Sequence, residues 1–315
     1  MKKIRLIIPY FGKLPKFFPY FLLTAKRNQK IDFLIYTDQN VDQLEILNAE
    51  NIEFKTLSFD DLRKKVQSKF DFEISLKTPY KLCDYKVAYG FIFEEELKGY
   101  DYWGFCDTDV LLGDIYQFLE EHSFFENDYA RYGLLGHLQI FKNSQEVNHV
   151  FMSGQGLNYR LDYHNVFTSE QNFIFDEEKG IQSLFEKYGF QQLQDKFFDD
   201  IDISHFSFRE YGEDEPKRYY FWSQQEGLKS INLIDGKIVV KHPLYTHFQK
   251  RKIECPEFEL VESFYVIPNK LVFGEELSIQ EIEEVTKNKF YWDYFKSTFL
   301  KKIQNGKMVV RIYSP

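Results

Sequence analysis

The chain has 315 residues, 43% of them hydrophobic and 28% charged, with a formal net charge of −9. That length holds one large α/β domain or two medium ones, and the acidic balance excludes a dedicated nucleic-acid binder, which needs a basic face. Cys83, Cys106 and Cys255 are widely spaced with no Cys-x-x-Cys pair, which fits neither a disulfide framework nor a zinc site and points to a reducing cytoplasm.

The start of the chain is interrupted by Arg5, Pro9 and Lys13, so it lacks the apolar stretch of a signal peptide. No window reaches the roughly 18 apolar residues of a membrane span. A soluble or peripheral protein is expected. The aromatic content is unusual, with 34 Phe and 22 Tyr. It reflects either a codon bias or surfaces on which sugars stack.

In chain order, Ile4 to Pro9 reads as a short buried strand, closed by Tyr10-Phe11-Gly12. A helix is expected over 17–28, a strand over 31–36 closed by Thr37-Asp38-Gln39-Asn40, a short helix over 41–49, a strand over 52–57 and a helix over 62–70. Thr78-Pro79 opens a helix expected over 80–97, whose buried face is Leu82, Tyr85, Tyr89, Ile92 and Phe93. The strand Tyr102 to Cys106 follows and runs into Asp107-Thr108-Asp109. Strands alternating with helices in this way predict a parallel sheet covered by helices. Beyond it come a helix over 115–121, a strand over 134–141, a helix over 180–189, a strand over 238–242, a strand over 260–267 and an amphipathic helix over 279–302. That last helix either rests on an anionic membrane surface or packs on the protein.

The chemistry centres on Asp107-Thr108-Asp109. Carboxylates at the carboxyl end of a strand are suited to holding Mg²⁺ or Mn²⁺ beside a phosphate. Asp109 is the direct ligand expected, and Asp107 acts through water or on a ribose hydroxyl. Asp-x-Asp by itself is a weak motif, and Asp200-Ile201-Asp202 reads as a chance second copy. In open α/β sheets, ligands lie beyond the carboxyl ends of the strands. Tyr10–Gly12, Thr37–Asn40 and Asp107–Asp109 are therefore expected at one crevice.

Downstream, His247-Phe248-Gln249-Lys250-Arg251 is either a solvated basic turn or a metal-ligating imidazole with cations for a diphosphate. Lys77, Lys81, Asp84 and Lys86 are either surface ion pairs or contacts to nucleotide and phosphate. Asp176 and Glu177 are candidates for the base that takes a proton from a sugar hydroxyl. Gly136-His137 and Trp222 line either a sugar site or the core.

These words together resemble glycosyltransferases of the GT-A fold. More narrowly they resemble a little-characterised family from bacterial capsule and surface-polysaccharide clusters. The resemblance is carried by Pro79-Tyr80-Lys81-Leu82-Cys83-Asp84-Tyr85-Lys86, Tyr102-Trp103-Gly104 with Asp107-Thr108-Asp109 and Gly113-Asp114, Gly136-His137, Phe175-Asp176-Glu177 and His247-Phe248-Gln249-Lys250-Arg251. It spans most of residues 1–255.

The resemblance implies a GT-A-type, Rossmann-like mixed sheet flanked by helices. The catalytic domain would be 1–255, with a nucleotide-binding half over 1–115, an acceptor half over 116–255 and an extension over 256–315. It also implies a nucleoside-diphosphate sugar, UDP first among the nucleotides, with nucleotide contacts near Tyr10, Thr37, Asp38, Lys81 and Asp84. The divalent metal would lie at Asp109 and His247. The acceptor would be a glycan hydroxyl, on a polyprenyl diphosphate at the inner membrane face in such pathways.

Two other readings stand beside it. Haloacid-dehalogenase phosphatases also place Asp-x-Asp after an apolar strand, there with a nucleophilic aspartate, and Phe198-Asp199-Asp200 imitates their later acidic pair. That motif normally sits on the first strand, and here several βα units precede it. A carbohydrate- or partner-binding protein without catalysis is the other.

Overall fold

The computed structural model describes residues 1–47, 49–203, 205–210, 213 and 216–287. It divides into two compact units, the first ending at Phe198 and the second beginning at Asp199.

The first unit is built on β1 (Ile4–Pro9), β2 (Ile31–Thr37), β3 (Ile52–Thr56) and β4 (Tyr102–Cys106). β5 (Val110–Leu112), β6 (Arg131–Tyr132), β7 (Leu138–Lys142) and β8 (Gln192–Leu193) follow. Seven of these form one sheet in the order β3-β2-β1-β4-β7-β6-β8. β1 to β4 pair in parallel, with Ile4 opposite both Ile31 and Tyr102. β7 then runs antiparallel to β4 and to β6. The expected parallel sheet is therefore the front half of a mixed one, as the GT-A-type expectation has it.

All five residues of β4 are buried, as a strand covered on both faces requires. Gly104 is needed in it: a Cβ there would come within 2.3 Å of the Gln139 carbonyl oxygen on β7.

Helices α1 (Phe18–Arg27), α2 (Phe59–Gln67), α3 (Leu82–Tyr85), α4 (Tyr89–Ile92) and α5 (Ile115–Glu121) cover this sheet. Pro19 sits in the first turn of α1, and Lys26 and Arg27 in its last, where each suits the helix end it occupies. Ser58 caps α2 by accepting from Asp61 N, and Asp114 caps α5 by accepting from Gln117 N.

The helix expected over 80–97 is instead broken. Short 3₁₀ turns at Pro79–Lys81 and Lys86–Ala88 separate α3 from α4. The interruptions coincide with Lys81 and Lys86, whose ammonium groups point into the unit rather than to solvent. The helix expected over 180–189 likewise becomes a turn over 178–182, kinked at Gly180, and a helix over Ser183–Lys187. A Cβ on Gly180 would stand 2.2 Å from the Phe175 carbonyl oxygen.

In the second unit β9 (Asp199–Asp200) precedes a five-stranded antiparallel sheet of β10 (Lys217–Ser223), β11 (Gly227–Ile234), β12 (Lys237–Lys241), β14 (Ser263–Ile267) and β15 (Lys270–Phe273). β13 (Tyr245–His247) pairs in parallel with β9, placing His247 opposite Asp200. The sequence reading assigns no element to β10 or β11. Their hydrophobic runs carry no alternation, yet Asp235-Gly236 between β11 and β12 is a two-residue hairpin turn with φ values of 51° and 72°. Ser278 opens a short helix, Ile279–Val285, with a capping box to Glu281. The rest of the helix expected to run to 302 lies outside the described residues from 288 onward.

Candidate functional site

β1 lies between β2 and β4. The chain leaves β1 to build β2 and β3 on one side and returns to place β4 on the other. Between β1 and β4 the direction of winding reverses, and such a switch point opens a crevice at the carboxyl ends of the strands. Tyr10 and Gly12 follow β1, Thr37 and Asp38 follow β2, and Asp107 and Asp109 follow β4, so all six sit along one edge of one sheet.

The loops there are tied together. Gly12, at φ 93°, donates its N–H to Asp38 Oδ1 at 2.9 Å, and Tyr10 N donates to the Tyr36 carbonyl at 2.8 Å. The Gln39 side-chain amide and then Gly12 N–H hold the exposed Asp38 carboxyl below its ordinary range. Thr37 is buried, and its hydroxyl accepts from Gln39 N. Burial raises the Tyr10 phenol, and the charge of Asp109 raises it further, so the tyrosine lies within the electrostatic field of Asp109.

Asp107 N donates to the His137 carbonyl at 2.7 Å, continuing the β4–β7 ladder by one bond. Both Asp107 and Asp109 are half-buried, while Thr108 between them is buried. Beyond them the backbone is clipped to α1. Thr24 Oγ1 accepts from Leu112 N, and buried Asn28 donates to the Gly113 carbonyl and accepts from Ile115 N at 2.8 Å. The words Asp107-Thr108-Asp109 and Gly113-Asp114 thus belong to one rigid segment, in which Asp114 caps a helix.

Lys86 reaches the same place from the 3₁₀ turn. Its Nζ lies 2.7 Å from Asp107 Oδ1, 2.8 Å from the Gly136 carbonyl oxygen and 3.2 Å from Asp176 Oδ2. The two carboxylates hold the Lys86 ammonium well above its ordinary pKa against the opposing effect of burial. Asp176 is buried, and burial pushes its carboxyl up to about 7 even with Lys86 beside it. Gly136 makes room for it, since a Cβ there would stand 2.4 Å from Asp176 Oδ2. The Asp176 carbonyl accepts from the Gln139 amide, whose oxygen accepts from the fully buried Arg131 at 3.1 Å. Glu177 is half-buried beside it.

Lys81 and Asp84 do form an ion pair, 2.7 Å long, but a buried one rather than a surface one. Asp84 also accepts from Phe173 N and Phe175 N, and Lys81 donates to the Val166 and Gln171 carbonyls. Ile174, between the two clamped amides, has a φ of 56°, strained for a β-branched residue. The pair therefore fixes the segment that leads into Asp176. Lys77, in contrast, makes an exposed pair with Glu170.

In the second unit His247 Nδ1 lies 2.8 Å from Asp200 Oδ1, and Gln249 donates to the same oxygen at 3.1 Å. Because a carboxylate only accepts, His247 Nδ1 carries the proton in this contact. Asp200 is the residue that sequence reasoning missed. It stands in the acidic copy read as chance, and only strand pairing brings it opposite a histidine 47 positions away.

Arg251 is buried and donates to the carbonyls of Asp202, His205 and Phe206 and to Asn269 Oδ1. All four of these acceptors lie within the second unit. Lys250 next to it is exposed. Trp222 is wholly buried and stacked on Phe264, so it is core and lines no sugar site.

The chain matches the model of a family of unknown function, DUF6625, over residues 6–275. No curated protein matches it. Among solved structures it is similar to the apo form of mouse xyloside xylosyltransferase 1, at 10% identity and a TM-score of 0.41, over 79% of this chain and 98% of that one. It is also similar to the apo form of the glycosyltransferase GlyE of Streptococcus pneumoniae TIGR4, at 8% identity and a TM-score of 0.40. That similarity covers 95% of this chain and 64% of GlyE, so the chain spans a little under two thirds of that protein.

Proposed function

We propose that this chain, which belongs to the family of unknown function DUF6625, is a metal-dependent glycosyltransferase. It would move a sugar, a hexose first among the possibilities, from a nucleoside diphosphate to a hydroxyl of a growing surface glycan. The observation that carries the reading is the acidic pair Asp107 and Asp109 at the switch point of the sheet, beside the loops of Tyr10–Gly12 and Thr37–Asp38. A nucleotide binds at such an edge, and carboxylates there need a cation before they tolerate a diphosphate.

The donor chemistry fits Mn²⁺ or Mg²⁺. Two half-exposed carboxylates supply hard oxygen, and His247 supplies an imidazole whose Nδ1 is already engaged by Asp200. Asp109 and His247 are the ligands we assign, with Asp107 binding through water or holding the ribose. The metal, when bound, would neutralise charge that grows on the departing diphosphate.

Tyr10, Thr37 and Asp38 are assigned to the nucleoside, and exposed Lys250 to the diphosphate. Lys81, Asp84 and Arg251 enter this reading by holding the segments that carry the site, since Lys81 and Arg251 donate to backbone carbonyls and Asp84 accepts from backbone amides. If the transfer inverts the anomeric centre, Asp176 or Glu177 takes the proton from the acceptor hydroxyl. A polyprenyl-diphosphate-linked acceptor and a peripheral inner-membrane location belong to the same proposal.

Calorimetric titration of UDP with and without Mn²⁺ tests it. UDP binding that requires Mn²⁺ and is lost in Asp109→Ala is the expected result. If no nucleoside diphosphate binds under either condition, the reading fails. A panel of UDP-sugars assayed for Mn²⁺-dependent hydrolysis then identifies the donor.

A further inference from the structure

The ammonium group of Lys86 is held by two carboxylates and a backbone carbonyl in the interior of the first unit, and the reaction as described leaves it without a role. It meets Asp107 at 2.7 Å, Asp176 at 3.2 Å and the Gly136 carbonyl at 2.8 Å. Both carboxylate residues are themselves held in place. Asp107 N is bonded to the His137 carbonyl, Asp176 packs where Gly136 has no Cβ, and the Asp176 carbonyl is bonded to Gln139. Lys86 also lies 5.1 Å from the centre of the Phe105 ring on β4.

Two carboxylates this close to one buried position repel each other unless a cation lies between them. One oxygen of Asp107 is thereby occupied, on the side facing Asp176.

We propose that Lys86 is a positioning residue for the acidic pair: it occupies one face of Asp107, restrains that carboxylate from closing on the divalent cation, and ties it to the segment of Asp176 and Glu177. The inference rests on the metal-dependent reading above. It gives Asp107 a role of its own, shared with an internal cation, beside the Asp109 assigned above to the metal.

The consequence runs opposite to that of a merely structural lysine. Removing the cation frees a carboxylate next to the metal and removes a repelling charge, so the metal should bind more tightly while turnover falls. Lys86→Gln, Lys86→Met and Lys86→Arg are compared with wild type by Mn²⁺ calorimetry without nucleotide, and by turnover at saturating UDP-sugar. In Gln and Met, Mn²⁺ affinity is expected to rise by roughly tenfold, from one unit charge at a few ångströms in a partly screened site, and turnover to drop by about tenfold or more. Arg, which keeps the charge, should stay near wild type in both.

Gln retains a donor for Asp107 and Gly136, which keeps the test open should Met fail to fold. Unchanged or weaker Mn²⁺ binding in Gln overturns the proposal while wild-type binding leaves the metal reading standing. A wild-type protein that binds no Mn²⁺ overturns both.

Discussion

Asp200 shows how much one contact alters the meaning of a residue. On the sequence it is one acid among 49 acidic residues; in the fold its carboxylate selects the tautomer of His247. Outer partners of this kind are worth about 10–100-fold in metal affinity. Asp200→Ala is therefore expected to weaken Mn²⁺ binding by that order without unfolding the protein, as measured by calorimetry alongside circular dichroism. Affinity equal to wild type would remove Asp200 from the site.

Asp176 supplies a second residue-scale prediction, with a definite sign. Its folded pKa, about 7, lies above the ordinary aspartate value of 3.8. Between those two values the folded chain keeps a proton that the unfolded chain has lost. The favourable contribution is thus present in full at the acidic end and disappears as pH rises towards 7. Asp176→Asn has no such proton. The stability of wild type relative to this variant should fall by about 2–3 kcal/mol from pH 5 to pH 8, at roughly 1.4 kcal/mol per pH unit up to 7. Denaturant melts of both proteins at the two pH values measure it, and a difference independent of pH contradicts the assignment.

At the scale of elements, the acidic pair depends on a helix that never touches substrate in this reading. α1 holds the stretch after Asp109 through Thr24 and Asn28. Asn28→Ala removes three hydrogen bonds, counting the one from its amide to the Thr24 carbonyl. It leaves buried backbone groups at Gly113 and Ile115 without partners. A loss of about 2–3 kcal/mol is expected, seen as a melting temperature lower by roughly 5–10 °C for a unit of this size. A fall of less than a degree would show that α1 and β5 are held by apolar packing alone. The broken helix before β4 belongs to the same scale. Gly90 allows α4 to press on Trp103, since a Cβ there would be 2.5 Å from the indole, and the 3₁₀ turn just before it delivers Lys86 to Asp107.

At the scale of the molecule, ligand and stability are linked. On the proposed reading a nucleotide with its metal would bind the folded chain and not the unfolded one, so UDP with Mn²⁺ at about 100 times its dissociation constant should add about 2.7 kcal/mol to the transition it reports on. EDTA should reverse the shift in melting temperature, and Asp109→Ala should never show it. A shift with UDP that survives EDTA would point to a metal-free nucleotide site. The aromatic excess also finds its explanation at this scale. Among the described residues the exposed large aromatics are Tyr80, Tyr159 and Tyr188, while Phe141, Phe151, Phe167 and Phe185 fill the core of the first unit. The rings chiefly build interior and not a stacking surface. No helix of the described residues is long and apolar enough to cross a membrane.

The sequence by itself determined the front half of the sheet and the position of its acidic pair, because both are local. Unbroken apolar runs such as Tyr102 to Cys106 specify buried strands, and proline, glycine and aspartate mark where they stop. Lys81 and Asp84 were legible as partners for the same reason, since three residues of helix put them on one face. Their burial was not, because it depends on Phe173 and Phe175, some 90 residues away. Lys86 beside Asp107 and Asp176, and Asp200 beside His247, were decided by tertiary structure alone. Such pairings arise from strand order and loop closure across many residues, and the energy of bringing two charges together leaves no periodic trace along the chain.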